Sequence, residues 1–373
     1  MDAELPGGVN VGDCSARFTS RVSEGLTPPG YKTHSKPGSN QPSKDTPIDM
    51  SYPTFNFHTT AEDVATAFAD YIKGKNVIVT GTSINGIGFE AARVIAKYAN
   101  LVVITGYNEE RLKLAEAAIK KEVPQANIRI LILDLSSLAA VRAAAAQVNA
   151  YEEPIHVLIN NAAAPVAPLK LTVDGLERQM ATDHFGPFLF TALITSKILA
   201  ARMENFTPRV VFVSSIGHSL CQGVDFGTLR KPNADTYGAF NAYFQAKSAN
   251  VLTAAELSRR SGGKINSYSL HPGTILTNLV GKEESQEHLK ELGVLLPDGQ
   301  QNTKIVEWKT IPEGTATTVA AAFDPRLDAT PGAYLDDSQV ANDKIEEHSA
   351  DPANAAKLWD LSEEIVATKF IFE

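Results

Sequence analysis

The chain has 373 residues, 43% of them hydrophobic, and carries a formal net charge of −9 with a pI near 5.5. It is long for one domain and short for three, and an acidic chain with no basic stripe argues against nucleic acid as a partner. Two cysteines, Cys14 and Cys221, exclude a disulfide framework and suit a reducing compartment.

The opening MDAELPGGVN lacks the basic and apolar regions of a signal peptide. The longest apolar run, Phe185 to Ala201, is interrupted by Gly186, Pro187 and Lys197, so no integral membrane segment is expected. Together these features predict a cytoplasmic protein. Residues 1–50 are rich in Gly, Pro, Ser, Thr and Asn without apolar periodicity, and read as a disordered tail before a folded unit over 51–373. Val64, Phe68 and Ile72 recur at helical spacing after Thr60 and Asp63, which opens a capped helix expected to pack beside the first strand.

From there strands and helices alternate. Val77, Ile78 and Val79 are a short β-branched run, followed by Gly81, Gly86 and Gly88 and then by helical spacing through Tyr98. Residues 101–105, 128–133, 156–160, 210–214 and 265–270 read as further strands. Helices are expected over 109–121, from Ser136 or Ser137 to 148, over 176–201 and over 243–259. Such alternation demands a parallel sheet covered by helices on both faces.

Ligands bind such sheets outside the carboxyl ends of the strands. Those ends carry Thr80-Gly81, Asp134-Leu135, Asn160-Asn161-Ala162-Ala163, Ser214-Ser215-Ile216-Gly217 and His271-Pro272-Gly273. Strand, glycine turn and helix form half of a nucleotide-binding unit, in which a backbone without Cβ atoms and a helix N-terminus receive a pyrophosphate. The spacing Gly81-x4-Gly86 also mimics a P-loop, but Ile87-Gly88 stands where that loop needs Lys and Ser or Thr. Downstream, Tyr243 and Lys247 are four apart, hence on one helix face. A cation held beside a phenol favours the phenolate and fits the phenol for proton exchange.

In their order and spacing these motifs resemble the short-chain dehydrogenase/reductase superfamily, in particular its retinol-dehydrogenase-like and WW-domain-oxidoreductase-like branch. The likeness runs from about 52 to 370, taking in Thr277, Glu313-Gly314-Thr315 and Leu358-Trp359-Asp360-Leu361-Ser362. It implies a single Rossmann-type doubly wound parallel sheet of about seven strands. It also implies an NAD(P)-dependent oxidoreductase that interconverts a small-molecule alcohol and carbonyl. Tyr243 would exchange the proton, Lys247 would favour the phenolate and hold the nicotinamide ribose, and Ser215, with Ser214 as rival, would orient the substrate oxygen. Gly81, Thr82, Ser83, Gly86, Ile87 and Gly88 would form the cofactor loop. Tyr107, Asp134, Leu135, Asn160 and Ala162 would line the adenosine end, while Pro272, Gly273 and Thr277 flank the nicotinamide. The likeness leaves a homodimer through the helices at 176–201 and 243–259 open.

Three positions depart from the family pattern. Four residues, Thr82 to Asn85, separate the first two glycines where the family has three; Ala163 replaces a glycine; and Asp183 stands in the segment Asp183-His184-Phe185-Gly186 where the family has its catalytic asparagine. Residues 104–108 offer neither the acid that binds a ribose 2′-OH nor an arginine for a 2′-phosphate, which favours NADP and leaves NAD open. The stretches 216–242 and 278–312 are the expected substrate lid. His184, His218 and His271 have no metal-ligand spacing, so no metal is expected. A second reading, a cofactor-binding regulatory protein without turnover, draws on Asp183, the enlarged loop and the tail.

Overall fold

The computed structural model describes residues 52–278 and 283–373. The expected tail at 1–50 therefore lies outside the described residues, as do 279–282 of the second lid stretch. In chain order come α1 (Ala61–Ala67), α2 (Ala69–Ile72), β1 (Asn76–Thr80), α3 (Ile87–Ile95), β2 (Leu101–Gly106), α4 (Glu109–Glu122), β3 (Ile128–Ile132), α5 (Leu138–Asn149) and β4 (Val157–Asn160). There follow α6 (Arg178–Met180), a π turn (Ala181–Phe185), α7 (Gly186–Leu193), α8 (Thr195–Leu199), β5 (Arg209–Val213), a 3₁₀ turn (Ile216–Ser219), α9 (Ala239–Arg260) and β6 (Asn266–Leu270). The C-terminal part adds β7 (Thr274–Ile275), α10 (Glu283–Glu291), β8 (Trp308–Lys309), α11 (Ile311–Phe323), β9 (Tyr334–Asp336), β10 (Gln339–Val340), α12 (Glu347–Ala350) and α13 (Pro352–Ile365).

The main sheet runs β10-β9-β6-β5-β4-β1-β2-β3. All its pairings are parallel except that of β10 with β9, so the seven expected strands gain one short antiparallel edge. Alternate residues serve opposite faces. Val77, Val79, Val102, Ile104 and Ile159 join the core under α3, α4 and α11, whereas Ile78, Val103, Leu158, Val210 and Phe212 join the core under α5, α7, α9 and α13. Each such buried side chain contributes about 1.5–3 kcal/mol relative to exposure. Strand order reverses between β1 and β4, which opens the crevice at their carboxyl ends.

Local chemistry sets the helix starts. Thr60 and Asp63 close a capping box on α1, Thr310 and Glu313 do the same on α11, Asn108 caps α4 and Ser137 caps α5. Three expectations need correction. The first helix breaks at Phe68 and packs between α11 and α3 rather than beside β1, because Val64, Phe68 and Ile72 are buried in the helix layer. The long helix expected over 176–201 is interrupted by the π turn and again at Ile194. Finally, α9 begins at Ala239, so Tyr243 stands in its second turn.

The C-terminal segment covers the helices that the resemblance offered as a dimer face. Helix α13 packs along α9, and Trp359 lies 5.0 Å from Phe188 of α7 and 4.5 Å from Phe370, centre to centre. Among the described residues, no helix is long and apolar enough to cross a membrane.

Candidate active site

The glycine loop is shaped by what it touches. Gly81 adopts φ +72, and a Cβ there would lie 2.8 Å from Ala162 Cα. A Cβ on Gly88 would lie 2.4 Å from Asn161 Nδ2 and 2.6 Å from Gly81 O, so only glycine lets α3 start this close to β4. The additional loop residue is absorbed at Asn85, which takes φ +62. Gly86 is the N-cap of α3 and offers no side-chain cap, which leaves the first N–H groups of the helix facing the crevice mouth.

Several residues that the resemblance assigns to the cofactor make their polar contacts within the protein. Thr82 is fully buried, and its hydroxyl and N–H both donate to Thr105 O at 3.2 and 3.1 Å, which pins the loop to β2. Asp134 accepts from Ser136 N at 2.9 Å and Ser136 Oγ at 2.6 Å, closing the turn after β3. Asn160 Nδ2 donates to Thr191 Oγ1 at 3.2 Å, while its buried Oδ1 has no partner. It is Asn161 that grips the glycine loop, with Nδ2 donating to Thr80 O at 2.8 Å and Gly81 O at 3.2 Å. Its N–H and that of Ala162 both reach Thr80 Oγ1. An uncapped helix N-terminus and an orphaned amide oxygen at the crevice fit a dinucleotide carrying a pyrophosphate and hydroxyls.

The carboxyl ends of β5 and β6 and the face of α9 form the other half. Ser214 Oγ donates to Lys247 O at 2.7 Å and is buried, so it belongs to the scaffold. Ser215 is half-buried, and its Oγ accepts from Gly217 N at 3.0 Å, which leaves its own proton for a ligand oxygen. Two neutral histidines brace the turn behind it. His271 Nδ1 accepts from Ile216 N at 3.1 Å, and burial pulls it down to about 4. His218 Nδ1 donates to Ser215 O at 2.8 Å and is likewise lowered, chiefly by burial.

On α9, Lys247 Nζ lies 5.3 Å from the centre of the Tyr243 ring, as the i, i+4 spacing dictates. Nζ also donates to Val213 O at 3.3 Å and stands 3.1 Å from Asp183 Oδ2. Burial pulls the ammonium down, but Asp183 and Tyr243 outweigh it and hold Lys247 above its ordinary value. Burial pushes the Asp183 carboxyl up, against the opposing pull of Lys247 and the Ala164 N–H. Tyr243 packs with Leu220, Cys221, Phe240 and Phe244, an apolar wall joining the 3₁₀ turn to α9.

Residues 75–228 match the family described as short chain dehydrogenase. Across a wider span, the chain is 36% identical to Short-chain dehydrogenase TIC 32 B, chloroplastic, of Brassica napus, over 83% of this chain and 93% of that one. The chain belongs to the short-chain dehydrogenase/reductase family. Retinol dehydrogenase 11 of Mus musculus is 31% identical over 78% of this chain and 86% of its own length. The crystal structure of an uncharacterized protein from Mycobacterium Paratuberculosis superposes with a TM-score of 0.60 at 26% identity, covering 80% of this chain and 96% of that one.

The two stretches expected as a substrate lid are tied to the body of the protein by specific contacts. Tyr237 OH meets Glu177 Oε1 at 3.1 Å, Ala167 O at 3.2 Å and Gln179 Nε2 at 3.2 Å, which ties the first stretch to α6. The second follows Pro272, Gly273 (φ +94) and Thr277 and opens at Asn278, whose Nδ2 donates to Ile84 O of the glycine loop. No His, Cys, Asp and Glu cluster able to hold a metal occurs among the described residues.

Two residues beside the crevice make contacts that the sequence motifs do not single out. Asn161 stands next to Asn160 in the same strand-end motif, and only the approach of β4 to β1 separates their contacts. Arg111 stands in the first turn of α4, with Nη1 3.5 Å from the hydroxyl of Tyr107, which is 63% exposed at the end of β2. The i, i+4 spacing of Tyr107 and Arg111 was the available signal.

Proposed function

We propose that the chain interconverts an alcohol and a carbonyl with NADP(H) as the preferred cofactor, and that Tyr243 exchanges the proton with the substrate oxygen. The observation that carries this reading is the buried Lys247 ammonium on the Tyr243 face of α9, opposite a Ser215 hydroxyl whose proton is free for a ligand. When bound, the nicotinamide supplies or accepts the hydride. Ser215 orients the substrate oxygen by donating its hydroxyl proton in a hydrogen bond. Tyr243 gives its proton to that oxygen in reduction and takes it back in oxidation. Lys247 offers charge and N–H donors to the nicotinamide ribose, and the unused N–H groups at the start of α3 receive the pyrophosphate. Leu220, Phe240 and Phe244 beside Tyr243 favour a lipophilic aldehyde or ketone.

The cofactor preference rests on the end of β2. Residues 104–108 carry no carboxylate to repel a 2′-phosphate, Glu109 and Glu110 of the next turn pair with Lys113, and Arg111 with Tyr107 supplies a cation and a hydroxyl. The second reading, a cofactor-binding protein without turnover, is favoured by the carboxylate in contact with Lys247. One experiment separates them: NADPH oxidation across a panel of lipophilic aldehydes and ketones, with Tyr243→Phe as control. Turnover that Tyr243→Phe abolishes supports the enzyme. NADPH binding without turnover on any carbonyl supports the regulatory protein.

A further inference from the structure

Asp183 lies on the π turn, whose wider ring swings its side chain into the interior. Carboxylate oxygen Oδ1 accepts the Ala164 N–H at 2.7 Å, and Oδ2 stands 3.1 Å from Lys247 Nζ. The two side chains are 0% and 3% exposed, so water screens neither of them. One carboxylate thus joins the loop after β4, the π turn and the catalytic face of α9. A lone buried ammonium 5.3 Å from the Tyr243 ring would impose its whole field on the phenol. A carboxylate in contact with that ammonium cancels much of the field, and an amide in its place would not.

We propose that Asp183 is a positioning residue that anchors the Lys247 ammonium and screens its charge from Tyr243. The proposal rests on the reading of Tyr243 as the proton-exchanging group and adds what governs its ionisation. The other titratable groups around the pair are accounted for. His218 and His271 are held neutral by burial, and His184 turns away to Ser362 Oγ at 2.8 Å. Glu177 on the α6 side is engaged by Met180 N at 2.7 Å and by Tyr237 OH. Asp183 is therefore the carboxylate in direct contact with Lys247.

The test is an ultraviolet titration of the phenolate, taken as the difference between each protein and its Tyr243→Phe counterpart. It needs no substrate, so it stays readable even if turnover assays overturn the oxidoreductase reading. In Asp183→Asn, which keeps an acceptor for Ala164 N–H, the Tyr243 signal is expected about one pH unit below that of the parent. The same or a higher pH in that variant overturns the proposal. Asp183→Ser is the independent variant should Asp183→Asn fail to fold. It also removes the carboxylate and leaves the Lys247 ammonium in place, so the Tyr243 signal is again expected about one pH unit below that of the parent. An unchanged or higher pH in Asp183→Ser would overturn the proposal.

Discussion

The glycine loop and the Asp183–Lys247 pair sit on opposite sides of one crevice and are built by different physics. The loop is held by shape: Gly81 and Gly88 admit Ala162 and Asn161 where a Cβ would collide, and Asn161 and Thr82 fasten it with neutral hydrogen bonds. The pair is held by charge, with two buried ions in contact and a phenol beside them. Changes in the loop should therefore act on binding and stability. Changes at the pair should act on proton transfer and its pH dependence.

The largest expected effect sharpens this contrast on the side of charge. Tyr243→Phe should lower kcat about 100- to 10,000-fold. NADPH affinity, followed by quenching of Trp308 and Trp359, should stay within about twofold, since that hydroxyl is not part of the glycine loop. Equal losses in kcat and affinity would blur the division.

Acid stability comes next. Burial holds His271 down to about 4 and His184 to about 3, so each binds its proton more readily in the unfolded chain than in the native fold. Stability should be full above about pH 6.5 and fall as pH drops toward 4, with His271 contributing about 3 kcal/mol of the loss. Urea melts across that range check this, and a flat profile would contradict the burial of these rings. Gly88→Ala probes shape: the added methyl meets Asn161 Nδ2 and Gly81 O and should cost about 1–3 kcal/mol of stability together with cofactor binding. Its pH profile should match the parent's. Smallest is Arg111→Ala, expected to weaken NADPH about tenfold while sparing NADH. Parallel titrations decide it, and equal losses for both cofactors would remove Arg111 from the 2′-phosphate.

Much of the fold was legible because strand runs such as 77–79 and 101–105 are buried on both faces, and because Thr60 with Asp63, and the pair Ser136-Ser137, mark helix starts by local chemistry alone. What stayed hidden was long-range or off-period. Helical spacing marks the buried face of α1 but not the partner, α11, that covers it. A regular 3.6-residue repeat is blind to a π turn, so Asp183 entered the expected site only through the resemblance. Periodicity alone could not place it beside Lys247, because the contact joins segments that only the packing of α9 against the π turn brings together. Likewise Asn160 and Asn161 are equivalent as residues; strand pleating sends one to Thr191 and the other to the glycine loop.

The central claim is that this crevice transfers hydride and that Tyr243 completes the reaction with a proton. The most direct measurement uses NADPH deuterated at the transferable position with a panel of lipophilic aldehydes and ketones, followed by mass analysis of the alcohols formed. The account predicts deuterium on the carbinol carbon with the parent protein and almost none with Tyr243→Phe at equal NADPH occupancy. Equal deuterium transfer by Tyr243→Phe, or tight NADPH binding with no transfer to any carbonyl, would contradict it.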